Sequence, residues 1–384
     1  MTPTSEKNKV SCSYIHDDIA LSILSKLRIK SLKRFTCVCK SWSLLFQNPN
    51  FINLFRNNLV SKSRYDDDDD DVCFLFVSQW FLYLVSGERF QNVVKLDLLP
   101  SPLLDRLRGR AFYPRIFSST INGIVCVHSR CHHNEVALWN PVTQEVKVIP
   151  PGLVENRPDI HAYSCLHGFG YDHVRDDCKV IRHVRYSYIS DCYPRKEDSP
   201  MLPDSFWEIY SLRSDSWRKI IVDKPIPHFL CSDSEVYLNG VCHWLGVSDE
   251  HKTVVVSLNL ADDVFFTTPT DWPHCSSRLV VLNGSIAMIT NYISPKSCTI
   301  SILGEIGVKE SWTKLFNIGP LSSTNNVIAT GKNGNIFLYI KNGKLACFDL
   351  TTEVIVEIGF KEESRIYQIL HNYKKNLGPI ELLL

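Results

Sequence analysis

The spacing of hydrophobic positions along the chain changes near residue 70. Before it, they recur every three or four residues. Ile19, Ile23, Leu24 and Leu27 share one helical face behind Asp17 or Asp18, either of which can cap a helix running to about Leu27. Ser31 is placed to cap a second helix, with Leu32, Phe35, Val38 and Trp42 on its apolar face. Pro49 is expected to end that run, with Phe51 to Phe55 adding a turn. About forty residues are too few to bury this much apolar surface alone. Their apolar edge is therefore expected to dock on a partner or pack on the rest of the chain.

From Cys73 onward the period is two, as in all-β chains. Runs such as Val136-Ala137-Leu138-Trp139, Val254-Val255-Val256 and Ile336-Phe337-Leu338-Tyr339 alternate with turn residues. A hairpin recurs. Its polar turns begin at Asn140, Ser211, Asn259, Gly304 and Asp349, and the last three are spaced by 45 residues. Asn122-Gly123, Asn239-Gly240, Asn283-Gly284 and Asn333-Gly334 precede four of them, and Asn-Gly supplies the positive φ of a tight hairpin. A four-stranded unit of about 40–50 residues is the blade period of β-propellers. Six units fit, at 73–98, 118–150, 166–221, 236–269, 279–317 and 327–360, with a closing strand from 365–370. The alternative is an open β-sandwich or two separate sheets.

Charge and composition set the domain limits. Residues 1–60 carry nine Lys/Arg against three acids, a local excess hidden in a formal net charge of +1. The run Asp66 to Asp71 repels itself and reads as a solvated linker. The expected organisation is a flexible 1–13, a helical module at 14–60, an acidic linker at 61–72, an all-β domain at 73–370 and a tail at 371–384. The balanced total charge argues against a nucleic-acid partner. No apolar run marks a membrane span or, in residues 1–13, an export signal. The 14 cysteines include no Cys-x-x-Cys and are expected to be reduced, in the cytoplasm and/or nucleus.

Ile15 to Leu27, followed by Lys30-Ser31-Leu32-Lys33-Arg34-Phe35 and Cys37-Val38-Cys39-Lys40-Ser41-Trp42, resembles the F-box. Trp139-Asn140-Pro141-Val142-Thr143, Gly168-Phe169-Gly170-Tyr171-Asp172, Glu208 to Leu212, Leu238 to Leu245 and Lys309 to Leu315 follow in the order of the plant F-box-associated, kelch-like domain. The resemblance implies a small all-α module followed by a closed propeller of about six blades. It implies the substrate-recognition subunit of an SCF-type ubiquitin ligase, itself non-catalytic, joined through a Skp-family adaptor to a cullin scaffold. Ile15, Ile23, Leu24, Leu27, Leu32, Val38, Cys39 and Trp42 are the apolar side chains expected at the adaptor, some of them serving the helical core instead. Ile15-His16 stands where the family has Leu-Pro, and Arg28 where it has Pro. Those two positions favour the alternative of a non-ligase propeller scaffold or decoy.

No catalytic motif occurs. Cys126, His128, Cys131, His132 and His133 hold metal-type ligands but crowd one loop, so neither metal nor cofactor is expected. Trp139, Trp217, Trp244 and Trp312 recur once per unit and are expected between blades. The longest interruption of the repeat, 186–205, places Tyr186, Tyr188, Tyr193 and Arg195 in a loop suited to holding a target protein.

Overall fold

A computed structural model describes residues 17–27, 29–35, 72–78, 81–86, 92–97, 114–129, 136–154, 160–188, 202–227, 235–248, 250–271, 277–293, 296–319, 327–330, 336–340, 344–350, 354–358 and 366–374. Positions 38, 42, 44, 48–51, 54, 55, 58, 90, 352 and 380 are also described.

Six four-stranded antiparallel sheets make up almost all of it. Blade 1 pairs β1 (Val72–Ser78), β2 (Phe81–Ser86) and β3 (Asn92–Asp97) with β24 (Ile366–Lys374). Blade 2 is β4 (Pro114–Ile121), β5 (Ile124–Ser129), β6 (Val136–Trp139) and β7 (Val146–Val148). Blade 3 is β8 (Ile160–Asp172), β9 (Asp177–Tyr188), β10 (Phe206–Ser211) and β11 (Ser216–Ile220). Blade 4 is β12 (Val236–Leu238), β13 (Val241–Val247), β14 (Thr253–Asn259) and β15 (Phe265–Pro269). Blade 5 is β16 (Ser277–Leu282), β17 (Ser285–Ile293), β18 (Lys296–Leu303) and β19 (Trp312–Ile318). Blade 6 is β20 (Val327–Thr330), β21 (Ile336–Tyr339), β22 (Leu345–Phe348) and β23 (Ile355–Glu357).

The inner strands touch in the cycle β24, β4, β8, β12, β16, β20 and back to β24, so the ring is closed. The closing strand is supplied by the C-terminal part of the chain, with Leu75 opposite Leu370 and Phe76 opposite Ile369. It runs further than the expected 365–370. The stretch read as a tail also contributes Ile380, which is buried between blades 2 and 3 and donates its N–H to Glu145 Oε2 at 2.8 Å.

One apolar cluster fills each of the six blade interfaces. Trp139 lies in the interface of blades 1 and 2, Trp217 in that of 2 and 3, Trp244 in that of 3 and 4, and Trp312 in that of 4 and 5. A strand's alternation produces this, because successive side chains enter opposite interfaces. Each interface also carries a hydrogen bond from one blade to the next. In order around the ring they are Gln368 Nε2 to Ile116 O, Trp217 Nε1 to Pro150 O, Lys179 Nζ to Leu260 O, Gly307 N to Thr268 Oγ1, Thr330 Oγ1 to Val281 O and Tyr339 OH to Ile366 O.

The repeat in the sequence is a repeat of turn chemistry. Asn122-Gly123, Asn239-Gly240 and Asn283-Gly284 hold positive φ at both positions, joining the inner strand to the second. At the third-to-outer turn, Asn140 Oδ1 accepts from Val142 N, Ser211 Oγ from Ser214 N, Asn259 Oδ1 from Ala261 N and Asp349 Oδ1 from Thr352 N. Blade 5 has Gly304 at that position, with no side chain to cap. There Ser311 Oγ accepts from Glu305 N at 2.9 Å instead. Both turn sets lie at one end of the ring, because antiparallel strands bring alternate connections to the same end.

Candidate functional site

Two surfaces are formed from the residues upward. The first is helical. Helix α1 spans Asp17–Leu24 and α2 spans Ile29–Phe35. The first helix stops short of the expected Leu27, its chain tightening through Lys26 N to Ile23 O and Leu27 N to Leu24 O bonds. Ser31 lies inside α2 rather than capping it. Pro49 opens a helical turn at 49–51 instead of ending one; Asn48 Oδ1 accepts from Asn50 N and Phe51 N, and proline suits a first helical position. Asn58 Nδ2 donates to Ser25 Oγ at 2.6 Å, fastening this later segment to the end of α1.

Leu24, Leu32, Phe51 and Phe55 are buried together against Ile302 and Leu315 of blade 5, with Leu21, Leu27 and Trp42 packed on them. This divides the expected adaptor residues. Leu24 and Leu32 are 3% and 0% exposed, so they are core, and present nothing to a partner. Leu27 and Trp42 pack on that core. Ile23 and Val38 stand out, 54% and 65% exposed. Ile15 and Cys39 lie outside the described residues. Ile19, Phe35 and Leu44 are also exposed and were not on the sequence-based set. Helical spacing identifies an apolar stripe, but α1 has apolar residues on more than one side, and spacing alone does not say which side meets blade 5.

The second surface belongs to the propeller. Tyr186 and Tyr188 do not lie in a loop. They end strand β9, opposite Ala162 and Ile160 of β8, and both are half-buried. The strands of blade 3 simply run on past the length of the other blades, so the interruption begins later than the repeat implied. Tyr193 and Arg195 lie outside the described residues. Cys126 is buried and its thiol pushed well up by desolvation, while His128 packs on Phe117 at 5.5 Å. Cys131, His132 and His133 lie outside the described residues, and among the described ones no cluster suits a metal.

A cleft of about 460 Å³ opens between blades 4 and 5, at the end of the ring that carries both turn sets. Its apolar lining is Leu238, Val241, Phe266, Ile286, Leu303 and Ile306, of which Ile286 and Leu303 are buried and Phe266 and Ile306 exposed. Asn239, Asn259 and Glu305 add polar groups. His243 also lines it; burial pushes its pKa down to about 3, and its Nδ1 pairs with Ser257 Oγ at 2.8 Å, so the ring is neutral. Nothing in the sequence repeat marked this cleft, because it forms between units rather than within one.

Residues 13–54 match the F-box domain model, and residues 114–380 match the F-box associated beta propeller domain model. An F-box/kelch-repeat protein of Arabidopsis thaliana is 26% identical over 316 residues, 78% of this chain and 78% of its own. Protein SUPPRESSOR OF NIM1 1 of the same plant is 28% identical over 366 residues, covering 86% and 89%. F-box protein CPR1, also from Arabidopsis thaliana, is 23% identical over 371 residues, covering 90% and 84%. With its six blades, its closing C-terminal strand and the helical segment that precedes them, this chain belongs to the F-box proteins that carry an F-box associated beta propeller domain.

Proposed function

We propose that the chain is the substrate-recognition subunit of an SCF-type ubiquitin ligase. The observation that carries this reading is the pairing of an F-box match at 13–54 with a closed propeller, in which Ile23 and Val38 remain exposed after the helical core is complete. The F-box segment docks on a Skp-family adaptor, itself attached to a cullin scaffold. The propeller holds a target protein. The subunit does no bond chemistry; it raises the local concentration of target lysines beside ubiquitin delivered by another subunit. The compartment is cytoplasmic and/or nuclear, in keeping with the seven buried free cysteines among the described residues.

The test is capture of purified Skp-family adaptor by the full-length chain, followed by ubiquitin transfer with cullin and RING subunits added. Adaptor capture that is lost on Ile23→Glu with Val38→Glu supports the reading. No capture by the unaltered chain overturns it. That result would favour a non-ligase scaffold or decoy, the reading to which Ile15-His16 and Arg28 point.

A further inference from the structure

The cleft between blades 4 and 5 has three properties that together define a ligand. Its lining is mainly apolar, with Leu238, Val241, Phe266, Ile286, Leu303 and Ile306. Two of these, Phe266 and Ile306, are exposed, 42% and 37% accessible, and Val264 and Val308, two residues away in the chain, are exposed as well. Its one charged lining group, Glu305, takes no side-chain partner among the described residues.

The surrounding charges sharpen this. Lys309, the cation nearest in sequence to Glu305, is occupied by Asp271 at 2.7 Å. Arg218 is occupied by Asp263. Asp262 and Glu310 add negative charge in the same two turns. His243 contributes no positive charge. An unpaired carboxylate beside an apolar cavity complements a cation carried next to an apolar group.

The site is also held in shape. Ser311 Oγ accepts from Glu305 N and donates to Val308 O at 2.7 Å. Gly307 N donates to Thr268 Oγ1 at 2.8 Å, tying this turn to blade 4. A preformed site binds without the cost of ordering itself. Its position also matters. Ile302 and Leu303 are neighbours on β18 and point to opposite sides: Ile302 joins the F-box core, and Leu303 lines the cleft. A ligand seated there lies one strand from the adaptor-binding module.

Resting on the receptor reading above, we infer that this cleft takes an extended segment of the target protein, seating a Leu- or Phe-sized side chain with an adjacent Lys or Arg on Glu305. Asn239 and Asn259 line the same cleft; with Asn259 Oδ1 committed to its turn, Asn259 Nδ2 and the Asn239 amide are the groups that would bond the peptide backbone.

The probe is a synthetic array of ten-residue Gly-Ser peptides. Each carries one Leu or Phe, with Arg at each position from three before it to three after. A matched array carries Glu instead of Arg. The full-length chain is applied, and adaptor capture is measured in parallel. Retention of Arg peptides over Glu peptides is expected. Glu305→Gln should weaken that retention about fivefold, the worth of a partly exposed ion pair. Glu305→Lys should transfer the preference to the Glu array. Ser285→Phe, which fills the cleft, should remove both if its melting temperature is retained; the Glu305 variants, altered in a surface turn, carry the test if it is not. Equal retention of the two arrays, or an Arg preference that survives Glu305→Lys, overturns the inference. Adaptor capture without Arg-peptide retention overturns the cleft and leaves the receptor reading standing. Peptide retention without adaptor capture does the reverse.

Discussion

The Lys179 ammonium donates at 2.6 Å to the Leu260 carbonyl of the neighbouring blade, while a second 2.6 Å bond holds it to Asp172 in its own. Lys179 and Asp172 are both buried. The pair therefore joins blades 3 and 4 through a charge that has no water to return to. Burial raises the Asp172 pKa, but Lys179, Arg175 and two backbone N–H groups outweigh that and hold it down at about 2.

A carboxylate held below its unfolded value stabilises the fold above that value, and the contribution fades as pH falls through the folded one. For Asp172 the full effect is about 2 kcal/mol, with roughly half of it gone by pH 3. Asp172→Asn should therefore be less stable than the unaltered chain at pH 5, with the gap narrowing at pH 3. Urea midpoints at the two pH values measure this, and a constant gap would contradict it.

Arg182 and Glu208 form a second buried pair. Arg182 lies over the Trp217 ring at 4.1 Å, and Glu208 Oε2 accepts from Leu153 N at 2.9 Å. Glu208→Ala strands a buried guanidinium and should cost about 3–5 kcal/mol. The double variant Arg182→Met with Glu208→Leu should recover much of that loss. Chemical denaturation of the three proteins decides the matter; equal loss in single and double variants would show that the charge is not the cause.

The helical segment offers a separation of core from surface. Leu32→Ala should destabilise the α1–α2 core by about 2–5 kcal/mol, because that side chain is wholly buried. Ile23→Glu should leave stability within about 0.5 kcal/mol, since the position is exposed. Hydrogen exchange of α1 and α2 amides reports both, with protection lowered in Leu32→Ala and kept in Ile23→Glu. Loss of protection in Ile23→Glu would place that residue in the core instead.

Gly284 has φ +70° and open space around its missing Cβ. Gly284→Ala should therefore cost about 1 kcal/mol from backbone strain alone. Thermal melting tests this. No change in melting temperature would mean that the β16–β17 turn relaxes into another conformation.

Much of the propeller was legible because its turns are chemically specific. Asn-Gly at 122, 239 and 283 and the capping Asn140, Asn259 and Asp349 occupy equivalent places in successive blades, so residue type alone marked the period. Blade limits came within a few residues except in blade 3, where β8 and β9 run past the repeat length. Tyr186 and Tyr188 fall in that extension of β9 and not in a loop, because a repeat predicts where a unit ends by analogy with its neighbours. The helical segment was legible as helices but not as surfaces. Leu24 and Ile23 are adjacent and equally apolar, and only the position of Ile302 and Leu315, nearly 300 residues away, buries one and exposes the other. The cleft around Glu305 was not legible, since its walls come from two blades and its carboxylate resembles any surface glutamate.

The closing strand β24 sets a timetable for the molecule's birth. Blade 1 cannot be completed until Ile366–Lys374 has left the ribosome, and roughly 300 residues separate that strand from its partner β1. At translation rates of about 5–20 residues per second, β1 waits some 15–60 s with an unpaired edge. During that interval the faces of blades 1 and 6 that will enclose Phe76, Phe337 and Ile369 are open to water and to other chains. A message truncated before codon 366 would thus yield a chain with its helical module intact and its ring unclosed. Such a fragment would keep the contact of its helices with Ile302 and Leu315, while its open blade faces would mark it for chaperones.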